Sequence, residues 1–393
     1  MSRSPISRSP DLKALADDGY DVGIVSGHLV IRDVPYVNSR GQVKLGVLVS
    51  TLDLAGDVTA RPSTHVALFA GEHPCDRNGR ELAKIKHEST RREISDGLVV
   101  EHSFSSKPAD GYRDYHHKMA TYVAIIAGPA EAIDPSATAR PRRVIEPDES
   151  CTVFKYQDTA SSRAGIAALS SRLDLSRVAI VGLGGTGSYI LDFVAKTPVR
   201  EIHVFDGDDF LQHNAFRSPG APSSEELRAI PQKVRHHASR YDPMRNGIVE
   251  HDVYLDEGNI DALEGMDFAF ICVDRGESKR PVIEKLEELD IPFIDVGMGL
   301  ELIDDRLQGI VRVTASTSDK RDHVRDQKRI GLSGGGADGV YSRNIQIAEL
   351  NALNAALAVI KWKKLLGFYR DLENEHFSAY TLDGNVIVNE DHA

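Results

Sequence analysis

The segment Gly182-Leu183-Gly184-Gly185-Thr186-Gly187-Ser188 has the composition of a phosphate cradle. Glycines admit positive φ angles and let backbone N–H groups close on an anion, and a helix starting behind them adds partial positive charge. A glycine turn can also do no more than close a tight strand-to-helix connection. Here, about twenty residues further on, stands Asp206, at the spacing where an acidic side chain holds ribose hydroxyls. That much suits a nicotinamide dinucleotide as well as ATP, so an NAD(P)-dependent oxidoreductase stays open. Hydride transfer needs an apolar nicotinamide slot, whereas ATP chemistry needs a divalent ion and cations around a triphosphate. Asp208, Asp209, Asn214, Arg217 and Lys233 supply the second set. Asp274 closes a later apolar run and could hold Mg2+ against phosphate oxygens, or simply cap the following helix.

These residues need a scaffold that brings them to one edge. From Arg177 onward, RVAIVGLGGTGS, EIHVFDGDD, NGIVEHDVYL, DFAFICVD and IPFIDVG are apolar, β-branched runs separated by helical stretches at Ser188–Lys196, around Glu225–Ser239, and at Glu277–Leu289. Such alternation predicts a mostly parallel sheet with helices on both faces. In that architecture Asp206 and Asp274 both fall at carboxyl ends of strands, where open α/β sheets bind ligands. A further strand, LQGIVRVTAS, precedes a polar, Gly-rich loop over Thr317–Gly339. The periodic stretch Ile345–Phe368 predicts a helix, and Tyr380–Val388 a closing hairpin with an Asp-Gly turn. The cluster Lys361, Lys363 and Lys364 reads as the exposed end of that helix.

Upstream the pattern changes. Residues 20–128 read as short strands and turns, including MATYVAIIAG, which predicts a β-rich domain. In such a strand the neighbours His116 and His117, near Asp114, would face opposite sides and make a poor metal site. Pro135, Pro141 and Pro147 mark a linker, so the expected domains are 1–150, with a mobile polar tail at its start, and 151–393. The chain has 393 residues, which favours two domains. Its formal charge of -12 argues against nucleic acid or an anionic membrane surface as partner. The polar residues Glu349, Asn351, Asn354 and the lysines interrupt the most apolar helix, so no membrane span is expected. Cys75, Cys151 and Cys272 form no CxxC pair, which fits a reducing cytoplasm and gives neither a disulfide framework nor a zinc site.

Taken together, GLGGTGS, the pair Asp206 and Asp208, Asn214 and Arg217 eight and eleven residues after Asp206, then Lys233 and Asp274, resemble the ThiF/MoeB/HesA family of E1-like adenylyltransferases in order and register. The resemblance covers roughly residues 155–370. It implies a Rossmann-like ThiF/E1 adenylation domain behind a smaller β-rich N-terminal domain, with ATP and Mg2+ as cofactors. The implied substrate is the free C-terminus of a ubiquitin-like protein or peptide. By the same resemblance Gly182, Gly184, Gly185 and Gly187 cradle phosphate, Asp206 binds the ribose and Asp208 belongs to the same cofactor-binding set. Asn214, Arg217 and Lys233 then contact phosphates, and Asp274 holds the metal. Arg163 resembles the family arginine that reaches into a partner subunit's site, which implies a homodimer; an exposed helix-surface arginine is the plainer reading.

Two departures qualify the analogy. The stretch Val311–Tyr341 lacks the cysteine that ubiquitin-type enzymes use for a thioester, and the CxxC zinc pairs are missing. The acyl-adenylate could pass directly to a conjugating enzyme, a sulfur or thiol acceptor, or an amine. Cys75, beside His73 in an expected loop, is the thiol to test, since a neighbouring histidine can expose and activate a thiolate. Cys272 belongs to an expected buried strand. A catalytically silent nucleotide-fold recruitment module is the remaining alternative.

Overall fold

The computed structural model describes residues 5–56, 58–95, 97–141, 152–156, 158, 167–332 and 345–393. Arg163 and Cys151 lie outside them, as does the stretch 333–339 of the expected Gly-rich loop. The chain divides into two compact units, Met1–Val144 and Ile145–Ala393.

The first unit is an antiparallel sheet of six strands, in the order Asp21–Val25, His28–Val37, Val43–Thr51, Val66–Ala70, His102–Ser105 and Lys86–Glu88. A helix over Tyr115–Ile133 packs on it. This corrects the reading of MATYVAIIAG as a strand. Asp114 caps the helix by accepting the His117 N–H at 2.7 Å, and Tyr115, Met119, Tyr122, Ile126 and Ala130 are buried at helical spacing. Period, not β-branched content, decides the element. His116 and His117 therefore sit in the first turn of a helix. Cys75 departs from its expectation as well. It is fully buried, its Sγ donates to the His73 carbonyl, and burial followed by the charges of Glu81, Asp76 and Glu72 pushes its thiol pKa up. It is no exposed thiolate.

The second unit is an α/β sheet with strands β1 (Arg177–Val181), β2 (Glu201–Phe205), β3 (Ile248–His251), β4 (Phe268–Ile271), β5 (Phe293–Ile303), β6 (Arg306–Ser316), β7 (Glu375–Thr381) and β8 (Val386–His392). Their order is β3-β2-β1-β4-β5-β6-β7-β8. The first five run parallel and the last three extend the sheet antiparallel. Helices α1 (Gly185–Val194), α2 (Lys233–Tyr241), α3 (Gly276–Glu288) and α4 (Ala348–Leu365) cover it. Val178, Ala179, Ile180 and Val181 are buried, as expected of a strand covered on both faces. Trp362 of α4, wholly buried, packs on Phe268 and Phe270 at ring separations of 6.3 and 5.9 Å.

Three sequence expectations change here. The helix around Glu225–Ser239 is two pieces, Ser224–Arg228 and α2, because the chain turns at Ile230 (φ 44°) ahead of Pro231. The loop after β6 holds a short helix, Asp322–Asp326. Lys361 is not on an exposed helix end: it is buried and pairs with Asp371 at 3.0 Å and Glu375 at 3.7 Å, while Lys364 reaches Glu375 at 2.9 Å. The turn after α4 brings Asp371, and the start of β7 brings Glu375, back against the helix. Among the described residues no helix is long and apolar enough to cross a membrane.

Candidate active site

Strand order reverses at β1 and β4, since β1 leads out to β2 and β3 while β4 leads to β5. Open α/β sheets bind ligands at the carboxyl ends of strands beside such a point. Val181 is level with Phe205 of β2 and with Ile271 of β4, so the glycine turn after β1 lies between the Asp206 and Asp274 segments.

Each glycine of the turn has its own reason. Gly182 takes φ 94°, and a Cβ there would stand 3.0 Å from the Cys272 backbone. At Gly187 a Cβ would fall 1.9 Å from the Gly182 carbonyl oxygen, and at Gly185 it would strike the Asn351 carboxamide. Around Gly184 nothing lies within 4 Å. Gly182, Gly185 and Gly187 thus let β1, β4, α1 and α4 close on one another, while Gly184 borders open space at the α1 N-terminus.

Asp206 is nearly buried, and its two oxygens accept the Leu183 N–H at 2.7 Å and the Asp208 N–H at 2.9 Å. Its carboxylate is thereby locked to the glycine turn. Lys233, the first residue of α2 and also buried, places Nζ 2.5 Å from Asp208 and 3.4 Å from Asp206. Burial works against the Asp208 charge, but hydrogen bonds from Lys233 and the Tyr254 hydroxyl outweigh it and hold its carboxyl below the usual range. The Tyr254 hydroxyl is correspondingly pushed up to about 12, first by its hydrogen bond to Asp208. Tyr254 also borders an open cavity lined by Asp256, Gly258, Glu277 and Pro281.

Asn214 is buried in the short helix Gln212–Ala215, where its Oδ1 accepts the Leu211 N–H at 2.9 Å. Arg217 follows on the same segment. Its Nε is buried without a hydrogen-bond partner among the described residues. Burial lowers its pKa, and the negative charges of Asp274 and then Asp208 oppose that shift. Arg217 therefore feels both carboxylates, one from each side of the turn. Asp274 is exposed just beyond β4, two residues before α3. The structure thus gathers Gly184, Asp206, Asp208, Arg217, Lys233 and Asp274 along one sheet edge.

Two further residues escaped the sequence reading. Asn351 of α4, buried, accepts the Thr186 hydroxyl at 2.9 Å and donates to the Arg217 carbonyl at 3.5 Å, tying the glycine turn to the arginine segment. Its polar interruption of an apolar helix was the available signal. Tyr254 had the signal of standing just past β3, at the same edge. Cys272 is partly buried, with its thiol pushed up by burial. Among the described residues no group of three or more His, Cys, Asp or Glu side chains could hold a metal unaided.

A parallel sheet in this strand order, with a glycine turn opening a helix and an acid closing the next strand, defines a Rossmann-like nucleotide-binding fold. The family comparison is in accord: residues 159–328 match the ThiF family. Residues 10–159 match a domain of unknown function, DUF6791. Ubiquitin-like modifier-activating enzyme 5 of Gallus gallus is 25% identical over 165 residues, which cover 39% of this chain and 41% of that protein. Among solved structures, E. coli MccB with succinimide is similar at TM-score 0.44 and 17% identity, over 60% of this chain and 72% of that one. MccB with ATP is similar at TM-score 0.43 and 16% identity, over 57% of this chain and 66% of that one. PaaA is similar at TM-score 0.43 and 17% identity, over 57% and 75%.

Proposed function

We propose that this protein uses ATP to adenylate the C-terminal carboxylate of a ubiquitin-like protein or peptide. The observation that carries the reading is Arg217, which lies within electrostatic reach of Asp274 on one side of the glycine turn and Asp208 on the other. That is the span a nucleoside triphosphate would cover, with its ribose at Asp206 and its phosphates between Gly184 and Asp274. Asp206 Oδ1 accepts the Asp208 N–H and lies 3.4 Å from Lys233 Nζ, whereas Oδ2 accepts only the Leu183 N–H among the described residues and keeps a lone pair for a ribose hydroxyl. Arg217 and Lys233 would meet the phosphate oxygens, with Asn214 offering its Nδ2 end. The carboxylate attacks the α-phosphorus, a new C–O–P link forms, the α–β bridge breaks, and acyl-AMP and pyrophosphate result. Positioning and charge neutralisation supply most of the acceleration.

Asp274 suits Mg2+, which is commonly held by one or two carboxylates together with substrate phosphates rather than by a protein cage. When bound there the ion would screen the phosphates and polarise the α-phosphate. A crowd of cations and acids also leaves little room for the apolar slot a nicotinamide needs. The reading extends to a homodimer in which Arg163 completes the partner's site. Mixing Arg163→Ala with Asp274→Ala subunits should then restore turnover in the heterodimer.

The deciding assay is ATP:pyrophosphate exchange across candidate ubiquitin-like proteins and peptides. Exchange that depends on a free C-terminus and is lost in Asp274→Ala is the expected result. No exchange with any of them, together with calorimetric binding of NAD+ in place of MgATP, would overturn the proposal.

A further inference from the structure

The edge of the sheet continues past Asp274 to β5 and β6, and there one cation has no counter-charge among the described residues. Arg312 of β6 is the register partner of Gly297 on β5. Its side chain lies flat over that glycine: a Cβ at Gly297 would be 2.3 Å from the Arg312 Nε and 3.0 Å from its Cζ. Among the described residues the buried Nε has no hydrogen-bond partner and no ion pair to the Arg312 guanidinium is formed. The underlying strand is held in place from the other side, where buried Asn354 donates to the Gly297 carbonyl at 3.0 Å.

Placement follows from register. Ile271 of β4 pairs with Asp295 of β5, so Gly297 is as far past that pair as Val273 and one residue short of the level of Asp274. Strands are about 4.8 Å apart, so the Arg312 backbone lies roughly 10 Å from the line of β4, and its side chain crosses β5 in that direction. Side chains alternate along a strand, so Arg312 shares its face with Asp295, which binds Lys279 of α3. Of the carboxylates on that face of β5, Asp295 is committed to Lys279, and Glu301 accepts from Gln308 at 2.7 Å. A buried donor laid in a glycine slot, aimed at the reacting edge and unanswered by any acid among the described residues, calls for an external anion.

We propose that Arg312 is the residue that receives the terminal carboxylate of the acyl substrate, holding one oxygen while the other faces the α-phosphorus. This rests on the adenylation reading and adds the acyl subsite to it. Ribose, phosphates and carboxylate are then ordered along the edge from β2 through β1 and β4 to β6. Gly297 acts through Arg312 as a positioning residue, because any side chain there would lift the guanidinium off the strand.

The test uses the full chain with 15N-labelled arginine and follows the Arg312 Nε–H resonance, assigned by its loss in Arg312→Lys. N-acetylglycine is the probe and N-acetylglycinamide its uncharged control, each titrated with and without Mg2+ and the ATP analogue AMPCPP. The acid should shift this resonance saturably and the amide should not. Gly297→Ala should weaken binding of the acid roughly 10- to 100-fold, the worth of a charge-assisted hydrogen bond. AMPCPP affinity, read by calorimetry, should stay unchanged in Gly297→Ala and fall in Asp274→Ala. An Arg312 resonance unmoved by the acid, or moved equally by the amide, overturns the assignment. Failure of AMPCPP to bind the parent would instead overturn the adenylation reading.

Discussion

The pair formed by Lys279 and Asp295 permits a quantitative test of how the sheet edge is held. Both groups are buried, Lys279 at 3% exposure and Asp295 at 0%, and the Asp295 Oδ2 has no hydrogen-bond partner among the described residues. Lys279 lies in the first turn of α3, directly after Asp274, so the pair anchors that turn to β5. Lys279→Met leaves a buried carboxylate alone, and Asp295→Leu a buried ammonium. Each should lower the unfolding free energy by about 3–5 kcal/mol, because the desolvation of the survivor is no longer offset. Replacing both together removes the two desolvation penalties at once, and stability should return to within about 1 kcal/mol of the parent. The single tryptophan, Trp362, is wholly buried in this unit and reports its urea transition. A double-mutant cycle then isolates the coupling. Single variants that each cost less than about 1 kcal/mol would refute the reasoning, since a solvated pair behaves that way. In the double variant a loss of MgATP affinity at restored stability would show that the pair sets the position of Asp274.

Two more outcomes follow from the same geometry. Gly184→Ala adds a methyl group to open space, so the Trp362 transition should hold while nucleotide affinity falls; Gly187→Ala forces a Cβ against the Gly182 carbonyl and should lower the transition itself. The Asp371 carboxyl, opposed by burial but held by Lys361 and the Asn374 N–H, has its pKa lowered to about 2. A depressed carboxylate contributes stability above its unfolded pKa, near 4, and loses it as pH falls toward 2. Asp371→Asn should thus be less stable than the parent by on the order of 2 kcal/mol at pH 5, with the gap closing by pH 2. A gap independent of pH would mean that the ion pair is not its source.

Much of the candidate site could be read in one dimension because its parts are local or strictly spaced. The glycine turn follows a buried strand directly, and Asp206, Arg217 and Lys233 stand at offsets that the βαβ connection imposes. Parallel strands, buried on both faces, leave apolar runs too regular to mistake. The helix over Tyr115–Ile133 was missed because its β-branched, aromatic stretch suits either element, and only the burial spacing settles it. Cys75 was misjudged because a loop-like motif says nothing about which strands close over it.

What the sequence determined by itself was the class of fold and the inventory of the candidate site, since both depend on residue types at short separations. Tertiary structure alone decided which charges answer one another. Lys361 with Asp371 and Lys279 with Asp295 are satisfied by acids from other elements, whereas Arg312 is left open across Gly297. Pairing of that kind depends on strand register and on burial, which no spacing along the chain specifies.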